Sequence, residues 1–493
     1  MWSTTRVSRH LRLGIALGVA LLFALSSTLA AFAKVSLLQI SSDPYTNPTS
    51  QHNTEVEPDT FAFGATIVST FQVGRFFDGG ASNIGFATST NGGKSWTPGF
   101  LPGTTVFATP AGVYARTSDP SVAYDAKHGI WLISYLGLFP NGNGAVVDVL
   151  VSRSTDGGQT WGTPVAVNAD GHFNDKNWTV CDNTASSPFY GNCYTEFDDN
   201  TLGDLIQMST SSDGGQTWGA ALPTGNKAFG IGGQPLVQPN GTVIVPIVGF
   251  SPFNYLILSF ISTNGGASWS PTHKVAKVAF RLPAGGIRAT IPLPSAEMDR
   301  SGKVYVVWSD CHFEPGCTAS DLVLSSSTNG IVWSKVTRLP LDPVGSGVDH
   351  FIPGLAVDPA SAGSTADLVV TFYYYPNANC TTATCQLTVG SATSADGGAT
   401  WTATTQLAGP MSLTWLPNTT QGYMVGDYIS TSFVGAPAFP AVAVANPPSG
   451  SVFDEATYTV KGGLTVGGST NPARDQTDAS TNDPETSSAL TSQ

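Results

Sequence analysis

The sequence predicts an all-β protein assembled from an array of similar small sheets, and three observations lead to that fold class. The 493 residues include 54 Gly and 33 Pro, and only 11% of the residues are charged. No segment shows the apolar stripe of an amphipathic helix. One turn motif returns six times along the chain. Short strands joined by turns and repeated at a similar spacing are typical of a modular β protein.

The six copies of the motif are called turn boxes below. Each begins with Ser/Thr-rich residues, which are followed in order by Asp or Asn, by Gly, and by a final Trp. Their Asp/Asn positions lie 51 to 67 residues apart. An Asn-Gly or Asp-Gly pair supplies the positive φ of a tight hairpin, and the side chain accepts hydrogen bonds from turn amides. We therefore predict a structural turn, and not a catalytic role, for each box. The boxes cover residues 89–96, 154–161, 211–218, 262–269, 327–333 and 394–401, with Asn91, Asp156, Asp213, Asn264, Asn329 and Asp396 at the Asp/Asn position.

Each interval between boxes has room for the strands of one sheet. In the second blade, strands are predicted at 119–125, 130–136 and 146–152, between the first and second boxes, and at 163–167 after the second box. Four-stranded units arranged around an axis make a β-propeller. The first strands of the predicted blades begin near Glu57, Asp119, Lys176, Gln234, Pro292 and Pro353.

The two ends of the chain supply strands that belong to no box. Segments 424–433, 438–444 and 456–460 follow the last blade, and segment 36–41 precedes the first. Joined together, they make a seventh blade closed by the N-terminal strand, which removes the exposed sheet edges. We favour seven blades. A six-bladed ring in which these strands supplement existing blades is the alternative.

Residues 1–33 have the pattern of a signal peptide. Three Arg precede an apolar run from Leu13 to Leu29, and Ala31 and Ala33 are the small residues that a signal peptidase reads. An uncleaved membrane anchor is the alternative, since the apolar run is marginal for spanning a bilayer. The pattern predicts a secreted protein.

The mature chain is strongly acidic. The full chain has a formal net charge of −13, and removal of the leader with its three Arg leaves −16 on the mature chain. This charge disfavours nucleic acid and anionic membranes as partners. We expect a monomeric propeller domain over residues 34–466, with no membrane contact after cleavage of the leader. Residues 467–493 are rich in Ser, Thr, Asp and Asn and are expected to be a disordered tail.

The six Cys residues lie in close pairs along the chain. In an exported protein, pairing between neighbours gives three local disulfides. No Cys-x-x-Cys pair accompanies them, which disfavours metal binding by these thiols. The predicted disulfides are Cys181–Cys193, Cys311–Cys317 and Cys380–Cys385.

The turn boxes, of the form Ser-x-Asp-x-Gly-x-x-Trp, resemble the Asp boxes, or BNR repeats, of sialidases and related secreted propellers. The resemblance runs from about Glu55 to Trp401, and the phrases Asp119-Pro120-Ser121-Val122 and 304–308 add to it. It implies the propeller fold. It implies sialidase chemistry less directly, because the same turn occurs in propellers that bind proteins or degrade other glycans.

The loops on the face opposite the boxes carry the candidate functional groups. These loops join second to third strands and one blade to the next, and a propeller binds ligands near its central opening. The polar residues predicted on this face are His52, Glu55, Glu57, Arg75, Asp78, Arg116, Asp119, Asp175, Lys176, Arg288, Asp310, His312, Asp349, His350, Asp427 and Tyr428.

The resemblance implies specific roles for some of these residues. Sialidases hold the substrate carboxylate with three Arg and use a Tyr nucleophile activated by a Glu, with an Asp as acid/base. The competing roles are surface salt bridges for the Arg residues, a core position for the Tyr and a strand cap for Asp119. The implied set is Arg75, Arg116 and Arg288 as carboxylate clamp, Tyr428 as nucleophile, Glu55 or Glu57 as its base, and Asp78 or Asp119 as acid/base.

Two functions from different classes follow. The first is a secreted sialidase-like glycoside hydrolase that acts on terminal acidic sugars of extracellular glycans. The second is a noncatalytic propeller that binds glycan or protein at the same face. The second stays open because no Phe/Tyr-Arg-Ile-Pro motif precedes the first box, and Phe280-Arg281-Leu282-Pro283 lies after the fourth.

No motif for an organic cofactor or a catalytic metal is present. Asp310 with His312 and Asp349 with His350 are groups that a structural Ca²⁺ at the ring opening would use. Solvated loop residues are the alternative interpretation of both pairs.

Overall fold

Strands form nearly all of the regular structure, which confirms the all-β prediction. The computed structural model describes residues 35–139, 146–251 and 254–467. The predicted leader, and the predicted tail apart from Gly467, lie outside the described residues. Among the described helices, none has the length and apolar character needed to cross a membrane. The helices are short 3-10 turns at Asn200–Leu202, Ala284–Gly286, Pro315–Cys317, Gly363–Thr365 and Leu413–Trp415.

The first half of the described chain contains an N-terminal strand and three antiparallel groups of strands, called sheets below; one pairing between Ala81 and Thr117 joins the first group to the second. Within each sheet, the strands pair in the order in which they occur in the sequence. The strands are β1 (Leu37–Gln39); β2 (Gln51–Phe63), β3 (Thr66–Arg75), β4 (Ala81–Ser89) and β5 (Thr97–Phe100) of the first sheet; β6 (Arg116–Asp125), β7 (Ile130–Leu138), β8 (Val147–Ser154) and β9 (Val165–Asn168) of the second; and β10 (Asn174–Cys181), β11 (Cys193–Asp199), β12 (Leu205–Ser211) and β13 (Leu222–Pro223) of the third.

The second half continues the same pattern with a fourth, a fifth and a sixth sheet, a short hairpin and a terminal set of strands. Two short strands share the inner edge of the fourth sheet. The strands are β14 (Gly230–Ile231), β15 (Leu236–Val237), β16 (Val243–Ser251), β17 (Asn254–Ser262) and β18 (His273–Lys277); β19 (Ser295–Met298), β20 (Val304–Asp310), β21 (Asp321–Ser327) and β22 (Thr337–Arg338); β23 (Asp349–Val357), β24 (Leu368–Tyr375), β25 (Gln386–Ser394) and β26 (Thr405–Ser412); the hairpin β27 (Asn418–Thr419) and β28 (Gly422–Tyr423); and β29 (Ser430–Phe433), β30 (Ala438–Ala445) and β31 (Glu455–Val460).

The two ends of the described chain meet in one sheet, as the sequence predicted. β1 pairs with β31 in antiparallel register, with Leu37 opposite Val460. Because β29, β30 and β31 also pair in order, β1 is the fourth strand of this terminal sheet. A single parallel pairing between Thr54 and Glu455 links the terminal sheet to β2 of the first sheet.

The turn boxes pack against the sheet that precedes them. A Cβ added to Gly158 of the second box would lie 2.7 Å from Val68 of the first sheet. The Gly158 carbonyl also accepts a hydrogen bond from Thr88 Oγ1 at 2.5 Å. Gly93 of the first box lies against Phe439 of the terminal sheet, where an added Cβ would be only 2.2 Å away. The first sheet therefore contacts the terminal sheet in the same way as the second contacts the first.

The first strand of each sheet is called its inner strand below. Residues on or beside the inner strands line a common central cavity of about 60 Å³. Side chains on these strands accept hydrogen bonds from backbone N–H groups of the next sheet. Asp59 Oδ2 accepts from Val122 N at 2.8 Å, and Ser295 Oγ accepts from Leu355 N at 2.9 Å. The cavity lining includes Asp59, Val122, Trp178, Gln234, Ser295, Leu355 and Ser430.

Three local disulfides hold loops and strand ends. Cys181 pairs with Cys193 across β10 and β11, so this bond joins two neighbouring strands. The other two bonds close short loops between the second and third strands of the fifth and sixth sheets. The predicted pairing is confirmed, and the bonds are Cys181–Cys193, Cys311–Cys317 and Cys380–Cys385.

Candidate functional site

Bulges in three successive inner strands bring charged side chains together. The register of β2, β6 and β10 shifts around Glu57, Asp119 and Lys176, whose φ angles are 54°, 49° and 49°. A left-handed backbone at a residue other than glycine costs about 1–3 kcal/mol, and such residues concentrate at functional sites. We call the group around them the central cluster, which comprises Glu57, Arg75, Asp119, Lys176, Arg288, Asp427 and Tyr428.

Glu57 and Asp119 form a hydrogen-bonded carboxyl pair with opposite pKa shifts. Burial, assisted by the charges of Asp119 and Asp427, raises the pKa of Glu57 well above its ordinary value. Burial also acts to raise the pKa of Asp119, but the Lys176 charge and the bond with Glu57 outweigh it and lower that pKa. Protonation is thus favoured at Glu57 and ionisation at Asp119, a separation that suits acid–base chemistry.

Two of the three predicted clamp residues, Arg75 and Arg288, converge on one sulfur atom. Arg75 Nε lies 3.0 Å from Met424 Sδ, and Arg288 Nη1 lies 3.6 Å from the same atom. Burial and the neighbouring Arg288 charge lower the pKa of Arg75 to about 10. Arg75 Nη1 donates to the Gly80 carbonyl at 2.8 Å. Among the described residues, no carboxylate lies within salt-bridge distance of Arg75.

Arg288, by contrast, already has a carboxylate partner. Its Nε and Nη2 donate to the two carboxylate oxygens of Asp427 at 2.8 and 2.5 Å. Burial acts to lower the pKa of Arg288, but the charges of Asp427 and Glu57 outweigh it and raise that pKa. The two side chains are 13% and 20% exposed, and they form the outer edge of the cluster.

Tyr428 is part of the protein core. It is 5% exposed, and its hydroxyl donates to the Pro120 carbonyl at 2.8 Å. Lys176 Nζ lies 3.5 Å from the centre of the Tyr428 ring, and Trp178 contacts the ring edge-on. Burial and the charges of Glu57 and Asp119 raise the pKa of the phenol well above its ordinary value. This geometry suits the packing role that the sequence left open for Tyr428 and does not activate the hydroxyl.

Three acids of the third sheet interact electrostatically with the cluster; Asp175 is half-buried, and Glu196 and Asp198 are buried. Burial raises the pKa of Asp175 to about 7 and that of Glu196 to about 8. Asp198 is fully buried, and burial raises its pKa well above the ordinary value. Within the described part of the chain, Lys176 Nζ and both carboxylate oxygens of Asp198 have no hydrogen-bond partner. The interior of the site thus contains ionisable groups whose hydrogen-bonding capacity is unused.

Three predicted site residues lie outside the central cluster. Arg116 Nη1 donates to Asp78 Oδ1 at 2.5 Å, and the guanidinium lies 4.3 Å from the centre of the Phe76 ring. The surface salt bridge that the sequence left open is therefore what the structure shows for Arg116 and Asp78. Glu55 accepts a bond from Ser41 at 2.7 Å, at the contact with the terminal sheet. Of the two candidate bases, Glu57 is the one at the cluster.

The predicted cation groups are arranged differently from the sequence expectation. Asp310 Oδ1 contacts His312 Nδ1 at 2.7 Å, as a local pair. Asp349 Oδ2 accepts from Arg281 Nη1 at 2.7 Å, and Asp349 Oδ1 accepts from Ser320 N at 2.8 Å. Both oxygens of Asp349 are therefore engaged, and they do not share a ligand position with His350.

Some residues of the site carry no sequence signal that marks them. Met424, Glu196 and Asp198 are placed only by strand pairing and loop path. A signal for the bulges does exist, because Glu57 and Asp119 each precede a proline in an inner strand. Since proline cannot donate to a sheet ladder, its recurrence at this position indicates an interrupted pairing.

A small cavity borders the cluster at Asp427. A pocket of about 10 Å³ lies beside Asp427, and Phe280, Ile291 and Phe351 are among its lining residues. That volume holds about one water molecule. This cavity is therefore too small for a sugar ring, and Asp427 is the one cluster residue in its lining.

Comparison with known proteins finds one related sequence segment and several similar folds. No protein-family model matches the chain. A sialidase of Bacteroides fragilis is 28% identical over a segment that covers 28% of this chain and 28% of the sialidase. The chain thus matches less than a third of the length of that relative.

Among solved structures, an ulvan lyase of polysaccharide lyase family 25 has a TM-score of 0.50 at 12% identity, covering 86% of this chain and 95% of the lyase. A Hadza microbial sialidase has a TM-score of 0.45 at 13% identity, covering 87% of this chain and 95% of the sialidase. The likeness to the lyase shows a shared fold.

Proposed function

We propose that the chain is a secreted seven-bladed β-propeller that acts on acidic glycans at the central cluster. Six box-containing sheets and the terminal sheet, completed by β1, are the proposed blades. Three disulfides support export, because such bonds persist in oxidising compartments. The related sialidase segment and the fold shared with a lyase crystallised with a glucuronate-containing saccharide support a carbohydrate substrate.

The observation that carries the proposal is Arg75, a buried guanidinium with no carboxylate within salt-bridge distance among the described residues, next to Arg288. A buried charge is costly unless it is paired and hydrogen-bonded. The carboxylate of an acidic sugar would supply the missing partner through charge-assisted bonds, which are stronger than neutral ones. A neutral sugar offers no such compensation.

Asp119 is the proposed catalytic residue. It is 6% exposed, whereas Glu57 beneath it is fully buried. In the proposed reaction, the Asp119 carboxylate accepts a proton from the attacking water, whose oxygen bonds to the anomeric carbon as the glycosidic bond breaks. Asp119 then returns that proton to the departing glycosidic oxygen, and Glu57 is a positioning residue that hydrogen-bonds to Asp119. Proton transfer by a positioned carboxyl contributes about 10²–10⁴-fold to rate. We propose hydrolysis of a terminal acidic sugar as the reaction.

Release of a fluorophore from a sialoside by the purified full chain tests the proposal. We expect Asp119→Asn to reduce kcat by at least about 100-fold, since it removes the proton acceptor. Asp78→Asn is the matched control, because Asp78 pairs with Arg116 outside the cluster. Wild-type turnover no higher than that of Asp119→Asn would contradict the hydrolase.

Tyr428→Phe separates this assignment from a tyrosine-nucleophile mechanism. The hydroxyl is bound to the Pro120 carbonyl, so we expect the variant to retain most of the activity. Loss of turnover comparable to that of Asp119→Asn, in a variant that still unfolds cooperatively, would instead support Tyr428 as the nucleophile.

The second candidate is a noncatalytic acidic-glycan receptor, and the low exposure of Asp119 favours it. Because only 6% of Asp119 is exposed, little of its carboxylate is accessible to a sugar ring. Calorimetric titration with a sialoside or a glucuronate-containing oligosaccharide distinguishes the two functions. Binding without turnover, abolished by Arg75→Met, is the result expected of the receptor.

A further inference from the structure

A second group of ionisable residues lies away from the central cluster, where the fifth and sixth sheets meet. Asp321 begins β21, Asp342 lies in the connection to the sixth sheet, and His350 is the second residue of β23. One carboxylate oxygen from each Asp and one ring nitrogen of His350 all lie within 4.8 Å of one another. The three residues therefore come from three separate segments and face one point.

The tautomer of His350 leaves one ring nitrogen free to bind a ligand. Its Nδ1 lies 3.3 Å from the Ser320 carbonyl oxygen, which can only accept, so Nδ1 carries the proton. The lone pair is then on Nε2, which lies 3.9 Å from Asp342 Oδ1. A metal-binding histidine is commonly oriented in this way, with its other nitrogen donating to a backbone carbonyl. His350 is 2% exposed, so packing fixes the ring.

Asp321 contributes a carboxylate oxygen that nothing else uses. Arg338 Nη2 binds Asp321 Oδ1 at 2.7 Å and Asp342 Oδ1 at 3.1 Å. Asp321 is 2% exposed, and in the part of the chain that the structure describes its Oδ2 has no hydrogen-bond partner. An unpaired carboxylate oxygen at this depth is costly unless a cation or donor completes it.

The charges of the group are also unbalanced. Arg338 is a single positive charge among three carboxylates, because Glu314 Oε1 lies 3.9 Å from Arg338 Nη2 in addition to Asp321 and Asp342. The formal sum is two negative charges in a largely buried volume. A divalent cation would neutralise them.

We propose that Asp321, Asp342 and His350 bind a divalent transition-metal ion of the Zn²⁺ class. One imidazole nitrogen with two carboxylate oxygens is a ligand set that suits Zn²⁺, whereas Ca²⁺ takes oxygen ligands. For bonds of about 2.1 Å, tetrahedral ligand atoms lie about 3.4 Å apart, close to the 3.9 Å between His350 Nε2 and Asp342 Oδ1. The ion would join the fifth sheet to the sixth.

The chain contains a matched control for this site. Asp170, His172 and Asp199 form a second Asp/His group, whose ligand atoms also all lie within 4.8 Å of one another. There, His172 is 37% exposed and its Nδ1 contacts Asp199 Oδ2 at 2.7 Å. None of the carboxylate oxygens of this second group is both buried and unpaired among the described residues. We expect it to bind Zn²⁺ at least tenfold more weakly.

Titration of the EDTA-treated full chain with ZnCl₂ and with CaCl₂ tests the proposal. We expect one Zn²⁺ per chain and a rise in Tm of about 3 °C at a 100-fold excess over Kd, with no such rise in CaCl₂. Asp321→Asn and His350→Gln should weaken Zn²⁺ binding at least tenfold, and His172→Gln should leave it unchanged. No stoichiometric Zn²⁺ binding, or a preference for Ca²⁺, would overturn the proposal.

A measurement on the wild-type protein keeps the test independent of variant folding. In crystals soaked with ZnCl₂, we expect an anomalous-scattering peak between Asp321, Asp342 and His350. A peak found only at Asp170, His172 and Asp199 would assign the ion to the control group and refute the site.

Discussion

The turn boxes and the central cluster use the same residue types in opposite ways. In the second box, Asp156 is exposed and accepts from Thr160 N at 2.9 Å and from Gln159 N at 3.1 Å. Burial acts to raise its pKa slightly, but the bonds from Thr160 outweigh it and lower the pKa to about 2. In the cluster, burial raises the pKa of Glu57, and Lys176 Nζ has no hydrogen-bond partner among the described residues. Local partners suit a folding role, whereas buried unpaired charge suits a ligand.

Removing the central cation should have the largest effect. Lys176→Met leaves the surrounding carboxylates, including Asp119 and Asp175, without their buried counter-charge. Breaking a buried charge interaction by removing one partner costs about 3–5 kcal/mol. Urea unfolding followed by tryptophan fluorescence measures the loss.

The control for that experiment is Lys274→Met, because Lys274 is exposed on β18. A surface substitution is expected to change the free energy of unfolding by at most about 0.5 kcal/mol. If the two variants unfold at the same urea concentration, the acids of the cluster are neutral without Lys176 and the contrast with the boxes fails.

The next largest effect concerns how a box packs on the preceding sheet. Gly157 and Gly158 have nearly the same φ, 82° and 80°, so the strain of an added Cβ is the same at both. Around Gly157 nothing lies within 4 Å of that Cβ, whereas at Gly158 it would be 2.7 Å from Val68. We expect Gly158→Ala to be about 1–3 kcal/mol less stable than Gly157→Ala, the usual cost of overpacking. Equal stabilities of the two variants in thermal unfolding would show that the second box does not pack tightly against the first sheet.

The fold was more predictable from sequence than the site, because the fold depends on local signals. Asn-Gly and Asp-Gly turns marked the boxes, and close Cys spacing indicated the disulfides. The site depends on features that periodicity does not contain. The bulges around Glu57 break the two-residue alternation of β2, so the sequence did not separate Glu57 from Glu55. Arg116 lies on the predicted face, but whether it joins Arg75 or Asp78 is decided by loop geometry.

The central cluster and the turn boxes should also differ in how their contributions to stability change with pH. Burial raises the pKa of Glu196 from 4.5 to about 8, so the folded state retains a proton that the unfolded state releases. Stability from this group is full below about pH 4.5 and is lost as pH rises through about 8. We expect the free energy of unfolding to fall across this range, and Glu196→Gln should flatten the curve of Tm against pH. Stability that rises with pH over this window in both proteins would contradict the buried neutral acid.

The box carboxylates should respond at the other end of the scale and by less. Hydrogen bonds in the turn lower the pKa of Asp213 to about 2, although burial works against them. Its stabilising contribution is therefore present above its ordinary pKa of 3.8 and is lost only as pH falls through about 2. No box contribution to the change in Tm between pH 5 and pH 8 is expected.

The smallest effect is expected where a carboxylate acts only as a hydrogen-bond acceptor. Asn91 already occupies the Asp156 position in the first box, where its Oδ1 accepts from Ser95 N at 3.0 Å and its Nδ2 donates to Ser95 Oγ at 2.8 Å. Asp156→Asn can adopt that arrangement with Thr160, so we expect a change of at most about 0.5 kcal/mol. Asp156→Ala removes the acceptor and should cost about 1 kcal/mol in urea unfolding. If Asp156→Asn loses as much stability as Asp156→Ala, the negative charge of Asp156 stabilises the turn, and its role as a hydrogen-bond acceptor does not. The boxes would then resemble the central cluster more closely than their geometry indicates.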